Sequence, residues 1–264
     1  MIRGIYTAVS GLVTQEAKQD VISNNLANVN TVGYKKDNLI AKKFDDVLMQ
    51  NYDKIVNGQN VRNVIGSLSM GSKIDETYIN FNQGTIEATD KDTDFAIEGR
   101  GFFTVARNNG IETQNYYTRD GHFHVNSNGY LVNDMGDMVL GRNVSSGALE
   151  PINVIVNGDI ASIKCSANGD ISLNNTPAYQ LEIVDFEDYT TLNKIEDNLY
   201  RGENPVQLTD KKVVQGSLER SNVDVMSEIA DMMMTLRTFE SNQKVVQALD
   251  ETLGKTVNEV GKVG

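Results

Sequence analysis

Residues 221–260 read SNVDVMSEIADMMMTLRTFESNQKVVQALDETLGKTVNEV. Within this stretch Val225, Ile229, Met232, Leu236, Phe239, Gln243, Val246, Asp250, Leu253, Val257 and Val260 follow one another in steps of four and three without a slip. That is the a/d spacing of a heptad repeat. Only Gln243 and Asp250 are polar. A 3.5-residue period keeps one apolar seam turned toward a partner under left-handed supercoiling. Ser221, with Asp224 three residues on, resembles a capping box with Asp in place of Glu. No proline interrupts the run, and as one helix it would be roughly 60 Å long at about 1.5 Å per residue. The seam requires a second helix, from this chain or from a neighbour. The plainer reading is a long amphipathic helix lying on a globular core.

Residues 2–29 supply a candidate partner. Ile5, Val9, Leu12, Val13, Ala17, Val21, Ile22, Leu26 and Val29 form a drifting apolar stripe. Glu16, Gln19 and Ser23 stand where a strict heptad would place apolar groups. Gly4 and Gly11 each weaken the helix by about 1 kcal/mol relative to alanine, so in isolation it is marginal. Pairing it with the C-terminal seam would bring the two ends of the chain together. It runs out in Asn24-Asn25-Leu26-Ala27-Asn28-Val29-Asn30-Thr31-Val32-Gly33-Tyr34. There asparagine side chains compete with the helix and Gly33 is a stop signal. The cluster reads either as a capped turn or as a knot joining the helix to an extended arm.

The chain has 264 residues, enough for one large or two small domains, and a formal net charge of −12. So acidic a balance argues against nucleic acid as a partner. The single cysteine, Cys165, excludes an intrachain disulfide and a cysteine metal cluster. No apolar run approaches the length of a membrane span. The first residues lack the uninterrupted apolar core of a cleavable signal peptide.

After a polar passage, with a short amphipathic piece expected over 44–52 and a Gly/Asn/Ser-rich loop over 57–72, the period changes to two. Lys73–Phe81, Phe95–Ile97 and Gly101–Ala106 read as strands. Asn109-Gly110, Asp120-Gly121, Asn128-Gly129, Asn157-Gly158 and Asn168-Gly169 read as hairpin turns. Short strands at near-regular spacing imply a sandwich or barrel. The expected fold is therefore α+β. Paired N- and C-terminal helices (1–33 with 221–264) form a coiled coil, 34–72 is an extended arm or linker, and 73–220 is an inserted all-β domain.

Catalytic chemistry is not legible. His122 and His124 share a face if their segment is a strand and offer two metal ligands. With no third histidine in the chain, the expectation is a surface pair near a hairpin and no metal. Asp185, Glu187 and Asp188 lack a calcium-loop pattern and read as a solvated turn. Gly99-Arg100-Gly101 is followed by strand-like residues, not a phosphate-binding helix start. Met232-Met233-Met234 reads as adaptable packing. No cofactor and no catalytic residue is expected. A secreted β-rich glycan hydrolase and a coiled-coil adhesin are the competing classes, distinguished by compactness and by self-association of the C-terminal helix alone.

Three stretches carry a resemblance. The first is Ser10-Gly11-Leu12 followed by Asp20 to Lys35. The second is Asp94-Phe95-Ala96-Ile97-Glu98-Gly99-Arg100-Gly101-Phe102-Phe103, continuing through Tyr117 to Gly121 and Asn128 to Val132. The third is Gln215-Gly216-Ser217-Leu218-Glu219-Arg220-Ser221-Asn222-Val223-Asp224-Val225. Together they resemble the bacterial flagellar rod and hook family. The start Met1-Ile2-Arg3 with Tyr6-Thr7-Ala8 is similar to its distal-rod branch, and Arg237-Thr238-Phe239-Glu240 to proximal-rod paralogues.

The resemblance implies a structural subunit of the basal-body rod in the cell envelope. It would be exported by the flagellar type III apparatus without a cleaved signal peptide and would contact other rod and hook proteins. It would polymerise into a hollow helical tube that transmits torque and conducts exported subunits. The assembly interface then comprises Ile5, Val9, Leu12, Val21, Ile22 and Leu26 with Val225, Ile229, Met232, Leu236, Phe239, Val246, Leu253, Val257 and Val260.

Overall fold

The structure is a computed structural model that describes residues 2–56, 59–108, 113–156, 158–196, 198–208 and 211–260. The architecture is α+β, with an N-terminal helix, a large β region and a C-terminal helix. Two compact units are present. One comprises Met1–Ala27, Asp37–Ile79 and Asp224–Gly264, the other Asn28–Lys36 and Asn80–Val223. Among the described residues no helix is long and apolar enough to cross a membrane.

In the first unit α1 (Ile2–Ala27) and α2 (Val225–Lys255) are the two expected helices. The α2 cap differs from the expected box. Asp224, not Ser221, is the cap, and its carboxylate accepts from the Met226 and Ser227 amides at 3.3 and 3.2 Å. Two amides left open by the first turn are thereby satisfied.

The stretch expected as an arm is strand. β1 (Asp37–Lys43) and β4 (Ser72–Ile79) form an antiparallel ribbon, Asp37 opposite Ile79 and Lys43 opposite Ser72. β2 (Val47–Val56) and β3 (Gln59–Leu68) form a second, isolated hairpin. The amphipathic piece expected at 44–52 thus becomes mostly strand. The overlooked signal is Asn57-Gly58 between runs rich in β-branched residues. Those two residues themselves lie outside the described ones.

The ribbon is seated on α1. Ser72 donates its amide to Ser10 Oγ at 3.3 Å, and the Ser72 and Thr14 hydroxyls are 3.0 Å apart. Gly71 allows this, because a Cβ there would stand 2.1 Å from Ser10 Oγ.

The second unit is built on a 13-stranded antiparallel sheet. Its central strands are Thr176–Leu181, Met138–Asn143, Phe102–Asn108 and Thr113–Thr118, hydrogen-bonded in that order. Phe95, Phe103, Leu131, Ile152, Ile171, Leu181 and Leu199 form one buried apolar cluster beneath it. The turns at Asn128-Gly129 and Asn168-Gly169 are present, with both glycines at positive φ (81° and 80°). Asp120-Gly121 is not a hairpin turn. Its glycine admits a close crossing, since a Cβ there would sit 1.7 Å from the Phe95 carbonyl. The turns expected at Asn109-Gly110 and at Asn157 fall outside the described residues.

Candidate assembly site

Helices α1 and α2 run antiparallel. A Cβ on Gly4 would meet Leu249 Cδ1 at 3.5 Å, one on Gly11 would meet Asn242 Nδ2 at 2.9 Å, and Asn25 Nδ2 donates to Glu228 Oε2 at 3.3 Å. From Gly4 to Gly11 to Asn25 the chain advances by one and then two heptads. From Leu249 to Asn242 to Glu228 it retreats by the same steps, so the register holds along the pair. Gly11 leaves room for the Asn242 side chain, whereas at Gly4 a methyl would meet Leu249 at ordinary contact distance.

This register decides which face of α2 turns inward. Its less exposed positions are Glu228, Met232, Thr235, Phe239, Asn242, Val246, Leu249 and Leu253, which are spaced four and three, together with Ile229. They share Met232, Phe239, Val246 and Leu253 with the sequence-derived seam. The other members of that seam lie one residue along. Ile229 is half-buried, Val225 and Leu236 are each 38 % exposed, and Val257 is exposed. The side chain of Val260 lies outside the described residues. Apolarity alone could not find the inner face, because it includes polar Glu228, Thr235 and Asn242, of which Glu228 meets Asn25 and Asn242 meets Gly11 on α1.

On α1, Ile22 is buried, Ile5, Leu12, Val21 and Leu26 are partly buried, and Val9 is exposed. Asn25, from the double asparagine, is the residue whose role the pattern hid. Its amide exchanges hydrogen bonds with the Asp37 backbone at 2.9 and 3.0 Å while also bonding Glu228. One side chain thus joins α1, β1 and α2.

Two apolar surfaces of this unit face solvent. Tyr6, Val9 and Val13 line one side of α1. Along α2, Met226 is 75 % and Met234 66 % exposed, with Met233 beside them. Met233 and Met234 flank a groove of about 510 Å³ floored by Ala230, Thr238 and Ser241 and closed by Arg237 and Asn242. A second groove of about 410 Å³ lies between Arg3 and the β2–β3 hairpin, lined by Val47, Leu48, Ile65 and Met70.

In the second unit the signature residues converge. Lys35, Glu219 and Arg119 are 0 %, 1 % and 2 % exposed. Lys35 Nζ bonds Glu219 Oε1 at 2.5 Å and the Asn82 carbonyl at 2.9 Å; Arg119 Nη1 reaches Glu219 Oε2 at 3.3 Å. The Gly84 amide also donates to Glu219 Oε1, at 2.9 Å. Burial holds the Lys35 ammonium below its ordinary range, opposed by the Glu219 carboxylate. Asn222 completes the junction, accepting from the Lys36 amide and donating to the carbonyls of Asn80 and Asn82. Gly33 is required here. Its φ is +66°, and a Cβ would lie 2.4 Å from the Asp120 amide nitrogen. Segments 33–36, 80–84, 119–120 and 219–222, far apart in sequence, are thus locked by one ionic and amide network. Cys165 carries no reactivity into this picture, since burial pushes its thiol up to about 12.

Three family descriptions match successive parts of the chain. They are the flagella basal body rod protein at residues 5–35, the flagellar hook protein FlgE/F/G D1 domain at 96–173, and the flagellar basal body rod FlgEFG protein C-terminal region at 214–259. The chain belongs to the flagellar hook and basal-body rod family. Within that family the likeness runs to the rod protein FlgG. It is 33 % identical to the Borreliella burgdorferi basal-body rod protein FlgG, over 96 % of this chain and 97 % of that one. It is 31 % identical to Bacillus subtilis FlgG over 98 % and 99 %. It is also 32 % identical to the Bacillus subtilis hook-basal body complex protein FlhO, over the full length of both.

Proposed function

We propose that this chain is a structural subunit of the flagellar basal-body rod, built to polymerise through its terminal helices and not to catalyse. The observation that carries the reading is the outward apolar face of the α1–α2 pair, Tyr6, Val9 and Val13 on one helix and Met226, Met233, Met234 and Leu236 on the other. Exposed apolar stripes of this kind mark interaction surfaces. Two different surfaces on one molecule make a head-to-tail contact, and a rotation that does not close generates an open helical tube. In this reading α1 and α2 form a coiled coil within each subunit. The seam of Val225, Ile229, Leu236 and Val257 serves neighbouring subunits, including other rod and hook proteins. The tube would carry torque and conduct subunits exported through the flagellar type III apparatus. Full-length likeness to FlhO favours a second placement, elsewhere in the hook–basal body, with the same mode of assembly.

Leu236→Asp tests this. The residue lies outside the inner face, so the monomer should keep its helices and its β unit. Burying an unpaired charge against a neighbour costs several kcal/mol, so polymerisation should be lost. Sedimentation at matched concentration, with circular dichroism of the monomer, reads both. Filaments of undiminished length from the variant would overturn the assignment of this face.

A further inference from the structure

The only two histidines of the chain are His122 and His124. His124 pairs with Val132 in an antiparallel register, which sets Asp134, two residues beyond, across from His122 on the same face. Both rings converge on one carboxylate oxygen. His122 Nε2 lies 3.9 Å and His124 Nδ1 3.8 Å from Asp134 Oδ1. The other nitrogen of His122 is already engaged, with Nδ1 2.9 Å from Asp94 Oδ1. Asp94 is 1 % exposed, and its second oxygen accepts from Thr89 Oγ1 at 2.6 Å. A buried carboxylate that orients an imidazole and leaves its far nitrogen pointing at other ligands is the outer shell of a histidine metal site.

We propose that His122 Nε2, His124 and Asp134 bind a divalent transition-metal cation, zinc for preference, with Asp94 as the positioning residue. Nitrogen and oxygen ligands on a tetrahedral zinc stand about 3.4 Å apart. Among the described residues no three such groups already stand at metal-binding distances, and the two histidine–Asp134 separations exceed that spacing by a few tenths of an ångström. His124 and Asp134 are 50 % and 63 % exposed at the side chain, so rotation about their own bonds closes the gap without moving the backbone. Three protein ligands leave a fourth position for water. The negative field suits a cation, because Asp94 contacts the His122 ring and Asp134 lies near both rings. This inference is independent of the assembly reading.

The test is titration of the full-length, tag-free chain with zinc chloride by calorimetry, alongside thermal melts with and without the ion. One equivalent should bind saturably and raise the melting temperature. His124→Gln, an exposed substitution that spares the fold, should abolish the shift, and His122→Gln should do the same. Asp94→Asn should weaken binding by about tenfold or more, and Cys165→Ser should leave it unchanged. No saturable binding, or binding that survives the double histidine replacement, would overturn the proposal.

Discussion

In the β unit Phe95, Phe102, Phe103, Leu131, Ile152 and Leu199 are wholly buried, whereas in the helical unit Tyr6, Ile55, Met226 and Met234 stand in solvent. The two units draw on similar side chains and treat them oppositely. A sheet of this size covers its own inner face, and its strands pair with one another along most of their length. A two-helix pair with two separate two-stranded ribbons has too few layers to do so; an isolated hairpin in water is marginal at best. The comparison teaches where each part obtains its stability. The β unit holds it internally, through a closed core and a buried ionic junction. The helical unit holds a polar, register-setting contact internally and leaves apolar area for neighbours.

The strongest way to break this comparison is at the junction. Glu219→Ala removes the one carboxylate between Lys35 and Arg119, leaving two buried cations facing each other. Breaking such a buried set costs about 3–5 kcal/mol. Denaturant melts should show the β unit losing that much, and a loss under about 1 kcal/mol would mean that the network is ornamental to folding. Next in size is Asn25→Ala in the helical unit. It removes the bonds to the Asp37 backbone and a donor to the buried Glu228 carboxylate, for an expected cost of about 1–3 kcal/mol. Helical circular dichroism followed by heat should register it while the β transition stays in place. Movement of both transitions together would erase the division drawn above.

The smallest effect is a gain. Burial, foremost, lifts the Asp120 carboxyl from 3.8 to about 6. A raised folded value means that the native state holds the proton more tightly than the unfolded chain does. The stability tied to that proton is complete below about pH 4, falls as pH rises toward 6, and is absent above it. Asp120→Asn keeps the oxygen that accepts the His122 amide at 2.9 Å and removes the charge. At pH 7.5 it should stabilise the β unit by about 1–2 kcal/mol, discounted for the partial exposure of the side chain, and the gain should vanish near pH 4. A benefit that persists in acid would place its cause elsewhere than the carboxylate.

Local patterns in the amino-acid sequence were enough for the two terminal helices, the change to strands and the hairpins at Asn128-Gly129 and Asn168-Gly169, and the resemblance of three contiguous motifs pointed to the family. Each of these rests on local chemistry: the heptad, a left-handed glycine, a motif contiguous in the chain. Which α2 face meets α1 was decided only in three dimensions. Two heptads offset from one another share Met232, Phe239, Val246 and Leu253, and the choice between them follows the contacts of Gly11 and Asn25 on a helix distant in sequence. The strands between 37 and 68 were hidden for a similar reason. Their described side chains are exposed or only partly buried, with no in–out alternation, so the pattern that reveals a half-buried strand is missing. The junction of Lys35, Arg119 and Glu219, and the meeting of His122 with Asp94 and Asp134, belong to the tertiary structure as well. A charge or a ligand has no period, and only chain crossings and strand register bring such residues within bonding distance.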